Sequence, residues 1–163
     1  MGTRIKIFLR VLLLAVVALL FAPDATYAQE RKATPQEKAT IEACFTSKLD
    51  SPEGIEGCLF KVAEPCADAA GGSTFATSDC YRVEQTIWDG LLNAAHRELI
   101  GELDAQQKKA LLKMQRAWIA SRDATCNFRA DKIRGSLAAT MSAACFTRET
   151  ARRALLMKQF TEL

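Results

Sequence analysis

The residues best placed to do chemistry lie in "QRAWIASRDATC" (115–126), where Trp118, Arg122 and Cys126 recur at four-residue steps and Asp123 follows the arginine. On a helix that spacing points the first three the same way. An aromatic face, a fixed cation, a carboxylate and a sulfur on one helix can form a binding site, or they can rivet helices together. Arg122 can stack on Trp118 or form a two-pronged pair with Glu98 or Glu102 of the preceding helix. Asp123, turned away by about 100°, is expected to answer Arg148 or Arg152. Cys126 has a partner in Cys145, and a bond between them would lock two helices. The structural role is therefore expected for this cluster.

Catalysis needs a nucleophile with a base, a carboxylate pair held by structure, or a metal. The chain has a single histidine, His96 in "AAHREL", and it reads as a solvated helix residue. No serine or cysteine motif surrounds a nucleophile, and "GGST" follows no strand, so it is no phosphate cradle. There is no C-x-x-C, and zinc sites need short paired ligand spacing. The expectation is a protein without catalytic residues, metal or cofactor.

The elements that must position these residues follow from the pattern of the chain. Arg4, Lys6 and Arg10 precede an apolar run from Val11 to Ala22, then Pro23 and "ATYA", the pattern of a secretory signal peptide over residues 1–28 cut near Ala28. The run has twelve residues, where a bilayer span needs about 20. A periplasmic or secreted location with no stable membrane anchor after cleavage is expected. Residues 29–34 form a polar leader and 35–163 a single helical domain, subdivided into a disulfide-rich hairpin and loop (35–80) and a long-helix core (81–163).

An even count of six cysteines, at 44, 58, 66, 80, 126 and 145, implies three disulfides in an exported chain. Fifteen pairings are possible, and spacing favours nearest neighbours. Thr34, Pro35 and Glu37 form a capping-box start to a helix over 35–49. A short helix from about Glu53 to Ala63 brings Cys58 back toward Cys44. Pro65 ends it, and "CADAAGGSTFATSDC" reads as a loop closed by its terminal cysteines. Apolar residues from Ile87 to Leu103 then recur at three- and four-residue steps in a long helix over 78–103. Asp104 with Gln107 caps a second, folded back antiparallel, which Gly135 ends. A third runs from Leu137 to Thr161, with Met141, Ala144, Ala151, Leu155 and Phe160 inward. The fold class is all-α: an antiparallel bundle of three long helices with a disulfide-stapled amino-terminal hairpin and loop.

Charge divides the chain unevenly, with 7 basic and 14 acidic side chains over 29–107 and 12 and 4 over 108–163. The halves can screen each other, or an acidic face can receive a cationic partner. The arginine-rich stretches "NFRADKIR" and "RETARR" read as solvated faces, and an exported domain of near-zero net charge is not expected to bind nucleic acid.

"LLKMQRAWIASRDATC", "RGSLAATMSAAC" and "TRETARR" together resemble the conserved block of the LprI-type lysozyme-inhibitor family. The resemblance extends over "CADAAGGSTFATSDC" and "WDGLLNAAHREL", roughly residues 58–160. It implies a small exported helical domain whose framework is Gln115, Trp118, Arg122, Asp123, Cys126, Gly135, Ser136, Cys145, Thr147 and Arg152. It also implies the pairings 66 with 80 and 126 with 145, leaving Cys44 with Cys58. Where the family has two glycines this chain has Arg134 before Gly135, a departure at the turn. A lysozyme is the implied partner. Animal-type lysozymes are basic and cut with two carboxylates in a groove, so the acidic half is where contact is expected: Glu64, Asp68 and Asp79, with Phe75 as an aromatic plug. The alternative is a disulfide-stabilised envelope adaptor or stress protein that binds another exported protein or wall polymer without inhibition.

Overall fold

A computed structural model describes residues 31–49 and 54–163. The expected signal segment 1–28 with its cut at Ala28, the start of the leader and the turn at 50–53, including the expected helix start at Glu53, lie outside the described residues. Five α-helices follow one another: α1 (Pro35–Ser47), α2 (Ala63–Ala69), α3 (Thr74–Glu102), α4 (Ala105–Ile133) and α5 (Leu137–Phe160), with a 3-10 turn at Gly54–Cys58 between the first two. No strand occurs among the described residues.

The helix starts follow from local chemistry. Thr34 accepts from the Glu37 amide while the Glu37 side chain accepts from the Thr34 amide, and Pro35 sits where a helix needs no amide hydrogen. Asp104 and Gln107 repeat that reciprocal box at α4. Ser73 caps α3 through the Ala76 amide.

The α3 helix starts at Thr74, ahead of the expected Ser78, and α2 occupies 63–69, so 66–80 is helix, tight turn and helix rather than a loop. Pro65 is the third residue of α2, within the first turn, where its missing N–H would have had no helical partner. Gly71 (φ +61°) and Gly72 (φ +83°) supply the left-handed backbone that reverses the chain between α2 and α3.

Of the three long helices, α5 is the middle one. Cross-contacts Ser78–Thr140, Tyr81–Thr147 and Glu98–Lys158 show α3 and α5 running the same way. Cys126–Cys145 and Gln115–Arg153 show α4 running against them. Both α3 and α4 pack mainly on α5. The core gathers Ile41 and Phe45 of α1, Ile55 and Val62, Ile87, Trp88, Leu92 and Leu99 of α3, Leu111 of α4, and Ala151, Ala154, Leu155 and Met157 of α5. Of the residues expected inward on the last helix, Ala151 and Leu155 are buried, while Met141, Ala144 and Phe160 are half-buried. The disulfides are Cys44–Cys58, Cys66–Cys80 and Cys126–Cys145.

Candidate functional site

The arginine–tryptophan cluster sits on the α4–α5 seam. The Arg122 guanidinium lies 4.9 Å from the centre of the Trp118 ring and 5.2 Å from that of Phe146 on α5. Its Nε and Nη2 both donate to Oδ1 of Asp123 at 2.9 Å. The expected partners of Arg122, Glu98 and Glu102, are not used, and register explains why. Two antiparallel helices joined at Leu103–Asp104 put residue 122 level with Gln85, so Glu98 lies about 20 Å further along at 1.5 Å per residue. Glu98 instead accepts from Lys158 at 2.8 Å. The Asp123 expectation is corrected likewise: Arg148 lies over the Phe60 ring at 5.2 Å, and Arg152 pairs with Glu56 at 2.7 Å and Glu149 at 3.1 Å.

The remaining motif residues are also joints. Gln115 accepts from Nε of Arg153 at 2.6 Å, and the Arg153 guanidinium lies 5.3 Å from the Trp118 ring. Arg153, which sequence reasoning passed over beside Arg152, is buried, and its Nη2 has no partner among the described residues. Burial pulls its ionisation below the ordinary arginine range. The Thr147 hydroxyl lies 2.9 Å from the carbonyls of both Tyr81 and Ala143, joining α5 to α3. Gly135 (φ +70°) follows Arg134 (φ +56°, ψ 173°), so the turn takes two left-handed residues and one is not glycine. Ser136 is the residue before α5 but makes no side-chain cap. Trp118 is half-buried; the fully buried tryptophan is Trp88.

A second missed residue is Glu84, whose side chain is fully buried. Its carboxylate accepts from the amides of Phe60 (2.7 Å), Val62 (2.9 Å) and Ala63 (2.8 Å) and from Nε1 of Trp88 (3.0 Å). Val62 caps α2 without a side-chain bond, so Glu84 acts as the cap from another helix. It also holds Phe60, a non-glycine at φ +66°. The one signal available in the sequence was register: Glu84 precedes Ile87 and Trp88 by three and four residues, on the apolar arc of the helix.

Glu84 and the Cys66–Cys80 bridge together fix α2 against α3, and α2 carries the acidic candidates. Glu64 and Asp68 are four residues apart on one face and exposed. Asp79 on α3 is half-buried, and Phe75, in the first turn of α3, is 66% exposed. None of the three carboxylates has a hydrogen bond or ion pair among the described residues, although the basic half does screen the acidic half at Glu56 and Glu98. The four candidates form two pairs. Glu64 and Asp68 act on Tyr81, whose phenol is pushed above its ordinary range by burial first, then by Glu64, Glu84 and Asp68, against the opposing pull of Arg148. Phe75 and Asp79 share a different arc, which continues one turn later to Arg82.

The acidic tip presents exposed carboxylates, and Phe75 is exposed on the adjoining helix. It contains no nucleophile–base pair. His96 is half-buried and makes no hydrogen bond among the described residues, and no metal-ligating group of three or more side chains is found among them. The family model described as lysozyme inhibitor LprI matches residues 66–156. No curated protein sequence and no solved structure gives a significant match.

Proposed function

The chain belongs to the LprI lysozyme-inhibitor family, and from that premise we propose that it is an exported protein that binds a lysozyme and obstructs its cleft. The observation that carries this reading is the exposed pair Glu64 and Asp68 on α2, without a hydrogen bond or ion pair among the described residues, with Asp79 and the exposed Phe75 on the adjoining α3 that the Cys66–Cys80 bridge ties to it. A basic lysozyme surface supplies the complementary charge, which raises the association rate and selects the partner, while an aromatic anchor contributes buried area. Three disulfides among the described residues fit an oxidising compartment, and no described helix is long and apolar enough to cross a membrane.

The test is a cell-wall turbidity assay with c-type, g-type and i-type lysozymes. A molar excess of the protein should slow lysis by at least one of them, and Phe75→Ala combined with Glu64→Gln and Asp68→Asn should weaken the effect tenfold or more without moving the thermal melt. Undiminished lysis by all three enzymes would sink the reading.

A second reading rests on α4, which leaves Leu112, Ile119 and Phe128 exposed along a helix whose buried residues are only Leu111 and Cys126. It is an adaptor that meets another exported protein through this helix. Affinity capture from envelope extract with wild type and Phe128→Ser separates the two, since the adaptor requires a partner that the variant fails to retain.

A further inference from the structure

A concave feature apart from the acidic residues of α2 includes Arg82 in its lining. A cleft of about 310 Å³ opens between the three long helices, lined by Arg82 and Gln85 of α3, Arg122 of α4, and Ser142 and Phe146 of α5, with the short side chains of Ala139 and Ala143 leaving the space. That volume is at the lower end of ligand pockets, which run from about 300 to 1,000 Å³.

The electrostatics of the cleft can be counted. Asp123 takes both Nε and Nη2 of Arg122, so this pair is neutral as a unit, and the Trp118 and Phe146 rings hold the guanidinium in place. The Arg122 side chain remains 17% exposed, and its Nη1 makes no hydrogen bond among the described residues. Arg82 is exposed, with neither a hydrogen bond nor an ion pair among them. Among the residues that line the cleft the surplus is one positive charge, which one monoanion cancels; Asp79, one turn before Arg82 on α3, is not among the lining residues. Gln85 and Ser142 likewise make no side-chain hydrogen bond among the described residues, so a donor–acceptor amide and a hydroxyl stand ready beside the two arginines. A concave site accepts a group that projects and excludes the walls of another protein's groove, so it is unsuited to the catalytic carboxylates of a lysozyme.

We propose that this cleft binds one carboxylated sugar unit, with the carboxylate between Arg82 and Arg122, hydroxyl or amide groups on Gln85 and Ser142, and an apolar ring face against Phe146. A bare carboxylate would leave Gln85, Ser142 and Phe146 unused, and an uncharged sugar would leave Arg82 unused. Guanidinium–carboxylate pairing is directional and charge-assisted, so it discriminates strongly against a neutral analogue. The site is independent of lysozyme binding, and its test does not involve that enzyme.

The experiment is a nitrogen-15 NMR titration of the mature chain with three probes: N-acetylmuramic acid, N-acetylglucosamine (a related ring without the carboxylate) and lactate (the carboxylate without the ring). Saturable shifts at the Arg82 and Arg122 side chains and the Ser142 amide are expected with N-acetylmuramic acid, and at least tenfold weaker binding with either other probe. Arg82→Gln should weaken binding by about tenfold or more, from the loss of one charged hydrogen-bond partner. Ala139→Phe, at an exposed position, should fill the cleft and abolish binding. Both variants should melt like the wild type. Lactate or N-acetylglucosamine binding as tightly as N-acetylmuramic acid overturns the proposal. So does the absence of saturable shifts with N-acetylmuramic acid, or binding that survives in both variants.

Discussion

Replacing Glu84 by alanine removes the acceptor of four buried donors at once: the amides of Phe60, Val62 and Ala63 and the indole of Trp88. A buried donor left unsatisfied costs about 1–3 kcal/mol, so four cost at least about 4 kcal/mol, even with water entering the vacated space to hold each near the lower bound. A domain of this size is stable by about 5–15 kcal/mol, so the loss is a large fraction of the whole. It corresponds to a fall in melting temperature on the order of 10–15 °C. Circular dichroism at 222 nm during heating and urea unfolding reads the effect, with the urea midpoint falling at an unchanged slope. Glu84→Gln keeps one carbonyl oxygen for two of the four donors and turns an N–H toward the others, so it should fall between alanine and wild type. An alanine variant within about 1 kcal/mol of wild type, the net worth of one ordinary hydrogen bond, would refute the reasoning, because the four donors would then be satisfied without the carboxylate.

Three further outcomes are expected. Arg134→Gly should raise the urea midpoint: relief of backbone strain of about 1–3 kcal/mol at a position with φ +56° outweighs the roughly 0.5–1 kcal/mol of extra chain entropy that glycine brings; a lower midpoint would mean the turn is unstrained. Trp118→Ala should cost clearly less than Trp88→Ala, for which about 3–5 kcal/mol is expected of a fully buried ring, and equal losses in parallel urea melts would contradict the half-buried placement of Trp118. Tyr81 is the sole tyrosine once residues 1–28 are removed, so absorbance at 295 nm follows it alone, and it should ionise above the ordinary phenol value of about 10. Because its folded pKa is raised, its contribution to stability is fully present below the unfolded pKa and is lost as pH rises through the folded one. Glu64→Gln with Asp68→Asn should lower that titration, and an unmoved curve would separate these acids from Tyr81.

What the sequence made legible was whatever local chemistry decides. Thr34 with Glu37 and Asp104 with Gln107 mark their helix starts because a cap involves only residues three apart. The cysteine pairing was legible from short spacing together with the family pattern, and the long helices were legible from their apolar periodicity. The α2 helix was hidden because Pro65 and "GGST" read as breakers, when a proline in a first turn and two glycines at φ above +60° end and begin helices cleanly. Partnerships across helices were the least legible. Arg122 has carboxylates on every neighbouring helix, and only the register of the bundle selects the one beside it in sequence. Glu84 has the composition of a surface acid, and the backbone amides it serves lie 21 to 24 residues earlier. Of the candidate partner-binding residues, exposure and unpaired charge distinguish Glu64, Asp68 and Phe75 only after folding.

The order of the disulfides has a consequence for how the chain is made. Each bridge closes before the next begins, 44 to 58, then 66 to 80, then 126 to 145, with separations of 14, 14 and 19 residues. A polypeptide delivered amino end first can therefore oxidise each cysteine with the next one to arrive. No thiol has to wait for a distant mate, and no early bond has to be undone. Such a chain depends on an oxidant for its maturation, and far less on an isomerase to correct its pairing.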